Sequence, residues 1–111
     1  MYFKLVLAFA ALICIGVASG SNNLFCHYCE ANTEEDPKAT HNCRKLINVT
    51  ENSDCLGSCR FYVGSYKKNN KTEYFVNRSC AWLSCEALKL YHGVNEYCQQ
   101  CVSRYCNTDK Y

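Results

Sequence analysis

Past its first twenty residues the chain has no apolar run long enough to cross a bilayer, and residues 107–111 carry no hydrophobic tail. A membrane-spanning helix needs roughly 20 apolar residues, and a glycolipid-anchor signal needs a polar spacer with a tail of about 10 to 20. The expected product is therefore soluble, with no covalent membrane anchor. Internal repeats and low-complexity segments are absent, and proline occurs once, at Pro37. Charge of one sign is also lacking. After residue 20 eleven Lys and Arg face ten Asp and Glu, which argues against a nucleic-acid or polybasic membrane binder. Neither Gly-x-Ser-x-Gly nor His-Glu-x-x-His occurs, and His27, His41 and His92 stand far apart in sequence from any candidate nucleophile. No enzymatic activity is expected, and no cofactor is implied.

Cysteine is abundant. The segment 1–20, with Lys4, an apolar run from Leu5 to Val17 and the small residues Ala18, Ser19 and Gly20, has the layout of a secretory signal peptide. Cleavage before Ser21 leaves residues 21–111 as one domain. It also removes Cys14, turning eleven cysteines into an even ten. At that density in an exported chain the cysteines read as a disulfide scaffold. Zinc is the rival. Cys26 with Cys29 and Cys98 with Cys101 have knuckle spacing, but they lie much further apart than the usual ~15 to 20 residues, and export oxidises thiols. No metal site is expected.

Residues 24–29, with Phe25, Tyr28 and two cysteines, predict a first strand. Glu30 to His41 is a polar excursion. Residues 45–50 alternate enough for a short strand, and Asn52, Ser53 and Asp54 predict a turn into Cys55. The clearest element is a β-hairpin, with strands at 60–66 and 72–78 around Lys67-Lys68-Asn69-Asn70-Lys71. Asn69 and Asn70 suit a type I′ turn, because asparagine tolerates positive φ. That register sets Val63 opposite Val76 and Gly64 opposite Phe75. Ser84 caps a short helix over 86–92 that ends at Gly93, and a strand-like return runs from Val94 to Cys98.

The cysteine order Cys26-x2-Cys29, Cys43, Cys55, Cys59, Cys80, Cys85, Cys98, Cys101 and Cys106-Asn107 resembles the lymphocyte-antigen/urokinase-receptor family. Sequence alone leaves on the order of a thousand pairings open. The resemblance, which covers residues 24–107, implies Cys26–Cys59, Cys29–Cys43, Cys55–Cys80, Cys85–Cys98 and Cys101–Cys106. It implies a small, disulfide-rich, mainly β, three-finger (snake-toxin-like) fold, with fingers across 30–54, 60–79 and 86–97 and a short helix in the third. It also implies a structural role for Asn107, whose side chain would hydrogen-bond backbone in the palm. Two features depart from the family pattern. Gln99 and Gln100 separate cysteines that are usually adjacent, and Cys55 lies close to Cys59, as in the invertebrate members of the sleepless type.

Function then reads as binding. The resemblance implies a secreted, monomeric, non-enzymatic protein that modulates the extracellular part of a receptor or channel, or another secreted protein. Its rival is a structural or lipid-carrier role, as a matrix component or saposin-like protein. The candidate contact residues are Tyr66, Lys67, Lys68, Lys71 and Tyr74 at the hairpin tip, although lysine-rich turns are commonly just solvated. Three Asn-x-Ser/Thr triplets make Asn48, Asn70 and Asn77 candidate glycan acceptors. Asn70 lies in the tip itself, so a glycan there and tip contact exclude one another.

Overall fold

A long antiparallel hairpin carries the rest of the chain. The structure, a computed structural model, describes residues 24–111; the signal peptide expected over residues 1–20, Cys14 and the expected start at Ser21 lie outside the described residues. The element order is β1 (Leu24–His27), β2 (Cys29–Asn32), α1 (Pro37–Lys45), β3 (Asn52–Cys55), β4 (Ser58–Lys68), β5 (Lys71–Ala81), α2 (Cys85–Tyr91) and β6 (Tyr97–Cys101). Strands β1 and β3 pair alone, while the larger sheet runs β2-β5-β4-β6, antiparallel throughout. This is a small, mainly β fold with five disulfides. None of its described helices is long and apolar enough to cross a membrane.

The hairpin has the register read from sequence, with Val63 opposite Val76 and Gly64 opposite Phe75. Asn69 (φ 52°) and Asn70 (φ 64°) both take the left-handed backbone that a type I′ turn requires. Alternation sends Phe61, Val63, Val76 and Arg78 to one face, where Cys43 of α1 closes the main core. Tyr62, Phe75 and Asn77 point to the other face. There the Phe75 ring lies across Gly64, and a Cβ on Gly64 would overlap the ring and come 2.8 Å from the Gly93 carbonyl. Gly64→Ala is therefore expected to lose about 1 to 3 kcal/mol by overpacking, read as a lower thermal midpoint by circular dichroism. An unchanged midpoint would mean that the ring and the 92–96 loop yield freely.

Several stretches differ from expectation. The first strand is divided: β1 pairs with β3, Tyr28 N–H donates to the Glu51 carbonyl (3.0 Å), and β2 then turns its other edge to β5. The polar excursion contains α1. Asp36 caps it, accepting from Ala39 N–H at 2.9 Å, and Pro37 opens the helix with its φ already set. The strand expected over 45–50 does not form, because Leu46 (φ 58°) ends the helix and Asn48 (φ 54°) also takes a left-handed backbone. Its place is taken by β3, where a turn was expected. The helix capped by Ser84 forms, with Ser84 Oγ accepting from Ala87 N–H at 3.1 Å. The following strand starts only at Tyr97, since buried Val94 folds back on α2, its N–H reaching the Leu88 carbonyl at 3.3 Å.

The disulfides are Cys26–Cys59, Cys29–Cys43, Cys55–Cys80, Cys85–Cys98 and Cys101–Cys106. These are the pairs that the resembled cysteine order implies. Cys26, Cys55 and Cys59 form a second core of sulfur, flanked by Leu24, Cys80, Cys101 and Cys106. Apolar side chains are nonetheless left outside. Leu56 is 82% exposed and Trp82, beside the Leu56-Gly57 turn, is 78% exposed.

Candidate functional site

Residue 107 belongs to the framework. Asn107 is fully buried; its amide donates to the carbonyls of His27 (3.0 Å) and Arg60 (2.9 Å), and its Oδ1 accepts from His27 N–H (3.0 Å). One side chain thus ties β1, β4 and the chain's last segment together. The two glutamines between Cys98 and Cys101 have work of their own. Gln99 Nε2 donates to the Cys106 carbonyl (3.1 Å) while its Oε1 accepts from Asp109 N–H (3.1 Å), and Gln100 Oε1 accepts from Cys85 N–H (3.2 Å). Both also extend the β6 pairing with β4, opposite Phe61 and Arg60.

The hairpin tip is less of a cationic patch than its sequence suggests. Of the five basic residues in 59–80, Arg60 and Arg78 are buried. Lys68 forms a 3.1 Å ion pair with Glu34, Lys67 donates to Thr72 Oγ1 at 2.6 Å, and Lys71 lies 3.9 Å from Glu73. The Glu34 carboxyl is held below its ordinary range, first by the Tyr66 hydroxyl and then by Lys68. Glu34, ahead of α1, and Glu73 of β5 therefore neutralise part of the tip. Tyr66 stays on the surface, but Tyr74 does not join it: it packs against the main core with the Arg44 guanidinium 4.9 Å from its ring centre.

A second surface, not anticipated from sequence, is a cleft of about 1030 Å³ across the sheet face that bears Tyr62, Phe75 and Asn77. Residues 47–51 form one wall, Leu83, Leu88 and His92 the other, and Glu30 and Asn32 of β2 the near rim. The alternation along β4 and β5 places Tyr62 and Phe75 away from the core and is readable from sequence. The 47–51 wall is not, because it depends on the left-handed turns after α1. Two of the candidate glycan acceptors, Asn48 and Asn77, line this same cleft. Asn77 Oδ1 accepts from Ser79 Oγ, the hydroxyl of its own triplet. Asn70 is exposed in the hairpin turn, between Lys68 and Lys71.

The histidines sit on three separate elements, His27 in β1, His41 in α1 and His92 just after α2. The sulfurs of Cys26, Cys55 and Cys80 lie within 4.8 Å of one another, but each is in a disulfide and offers no thiolate to a metal. His27 packs against Tyr105, ring centres 5.1 Å apart, and its pKa is lowered from 6.5, by burial first and by the charge of Arg78 second. Between the lowered folded value and 6.5 the unfolded chain binds more protons, so stability falls as pH drops below about 6.5. Denaturant midpoints measured from about pH 7 to about pH 5 should decline, and His27→Gln should flatten that slope. An identical slope in the variant would assign it to other groups. No family model matches the chain, and neither a curated protein nor a solved structure matches it.

Proposed function

We propose that the chain is a secreted three-finger protein, similar to lymphocyte-antigen/urokinase-receptor domains, that binds and modulates the extracellular part of a receptor or channel, or another secreted protein. The observation that carries this reading is the cluster of three disulfides, Cys26–Cys59, Cys55–Cys80 and Cys101–Cys106, beside which the Asn107 side chain ties His27 to Arg60. Three loops leave it: the first holds α1, the second is the β4–β5 hairpin, the third holds α2. Such a frame presents side chains on strands that lose little freedom on contact, which favours binding. A saposin-like carrier would need long amphipathic helices, whereas the described helices have nine and seven residues.

Affinity capture from extracellular fluid and from membranes, with mass spectrometry, tests the proposal. The folded protein should enrich an extracellular partner that its reduced and alkylated form does not. Equal capture by both forms would remove the folded surface from the interaction. Lys68→Glu with Lys71→Glu then separates the surfaces, because a tip interface should associate more slowly, and more so at low salt than at high salt. Unchanged kinetics would move the contact to the sheet.

A further inference from the structure

The cleft lining has a one-sided chemistry. Glu30, Glu35 and Glu51 line the cleft and, His92 apart, no basic residue does, although the chain as a whole is slightly basic. Among the described residues no cation pairs with any of the three. Beside them stand three half-buried aromatic rings, Tyr28, Tyr62 and Phe75. The Tyr62 hydroxyl is kept neutral by burial and by Glu30, both of which raise its pKa. Aromatic faces next to uncompensated carboxylates attract a cation, and low-dielectric walls focus that field.

Main-chain geometry adds a second element. Thr33 N–H donates to the Tyr74 carbonyl (2.9 Å), so in the antiparallel β2–β5 ladder Cys29, Ala31 and Thr33 bond to β5 while Glu30 turns its N–H and C=O outward. On that outer side Tyr28 still bonds to Glu51, but beyond it the 47–51 wall leaves β2 and the cleft opens. The Glu30 main chain has no partner there among the described residues. An extended peptide could bond to it by strand addition, as a free small cation could not.

We propose that this cleft receives an arginine or lysine side chain from an extended segment of a protein partner, held by Glu30, Glu35 and Glu51 against the Tyr28, Tyr62 and Phe75 rings. The inference rests on the binding role argued above and names the surface and the chemistry it recognises. It also assigns a cost to glycosylation at Asn77, since a glycan there would stand in the path of the side chain.

The test uses the disulfide-bonded protein, isotope-labelled and purified from a secretory host after glycan mapping, titrated with a capped Gly-Ala-Arg-Ala-Gly peptide and with its citrulline counterpart. The arginine peptide should shift the amide signals of Glu30, Glu51 and Tyr62 with millimolar affinity, of the order a single side-chain anchor supplies. The neutral citrulline peptide should bind about tenfold more weakly or not at all, and salt should weaken only the arginine titration. Glu30→Gln with Glu51→Gln, both exposed positions, should remove the difference between the peptides while the spectrum stays folded. Glu86→Gln on α2, outside the cleft, should not. With Asn77 free of glycan, equal binding of the two peptides, shifts mapping elsewhere, or no shift up to about 10 mM would each overturn the proposal. Partner capture that survives such a failure would leave the binding role standing and place it on another surface.

Discussion

Arg78→Met is expected to leave almost no folded protein in the medium. Arg78 is fully buried, with its guanidinium 3.7 Å from the Phe61 ring centre, and every hydrogen bond it makes goes to backbone. Nε donates to the Cys43 carbonyl (2.7 Å), Nη1 to Asn107 (2.7 Å), and Nη2 to Arg44 (3.0 Å) and Asp109 (2.6 Å). Two of these carbonyls end α1, where the helix presents the negative end of its dipole. Burial draws the Arg78 pKa down to about 10, against the opposing pull of Asp109, so the group stays charged at neutral pH. Methionine fills part of the volume and satisfies none of the four carbonyls, of which that of Arg44 keeps a second donor in the Tyr111 N–H (3.3 Å) and the other three are left without one. At about 1 to 3 kcal/mol for each buried group left without a partner, the loss approaches the ~5 to 15 kcal/mol that holds an ordinary domain folded. Arg78→Lys should fall between, because an ammonium has three donors and no planar fork. Secreted yield and the denaturant midpoint of refolded protein measure both variants. A methionine variant with a normal midpoint would show that α1 and residues 107–109 are held by other contacts.

The disulfides should differ in weight, and the ranking separates two explanations of their effect. Cys26–Cys59 closes a sequence separation of 33 and Cys101–Cys106 one of 5. Chain entropy assigns the first about 3.7 kcal/mol and the second about 2 kcal/mol. Both Cys26 and Cys59 are fully buried, so replacing them with alanine also thins the sulfur core. The paired alanine variant at 26 and 59 should therefore lose more stability than the paired variant at 101 and 106, by denaturant midpoint. The reverse order would mean that the short bridge acts chiefly by holding Asn107 in place.

What could be read from sequence follows the range of the interaction that decides each element. The hairpin was legible to the residue pair, because alternation and the Asn69-Asn70 turn are local and agree. The Ser84 cap was legible for the same reason. The helix α1 carried an equally local signal, Asp36 before Pro37, hidden within an acidic and otherwise patternless stretch. Residues 45–50 have the composition of a strand but not its backbone, since Leu46 and Asn48 are turned by the end of the helix. Tyr74 looked like a tip residue only while Arg44, thirty positions away, had no place. Nothing local marks the hairpin's two arginines, Arg60 and Arg78, as buried. The cleft was the least legible feature, being built from the outer edge of one strand, the back of two others and a loop that only long-range pairing brings near them.

The position of Trp82 decides how all these stabilities can be measured. The single indole is 78% exposed in the folded protein, so its emission is already that of a hydrated ring, and unfolding will change it little. Tyrosines carry the optical record instead. Tyr97 stacks on Tyr111 at 5.3 Å and lies 5.7 Å from Phe61, in fixed surroundings that vanish when the core opens. Near-ultraviolet dichroism of these rings will follow loss of packing, whereas a tryptophan fluorescence trace could stay flat through complete denaturation and make a fragile variant look stable.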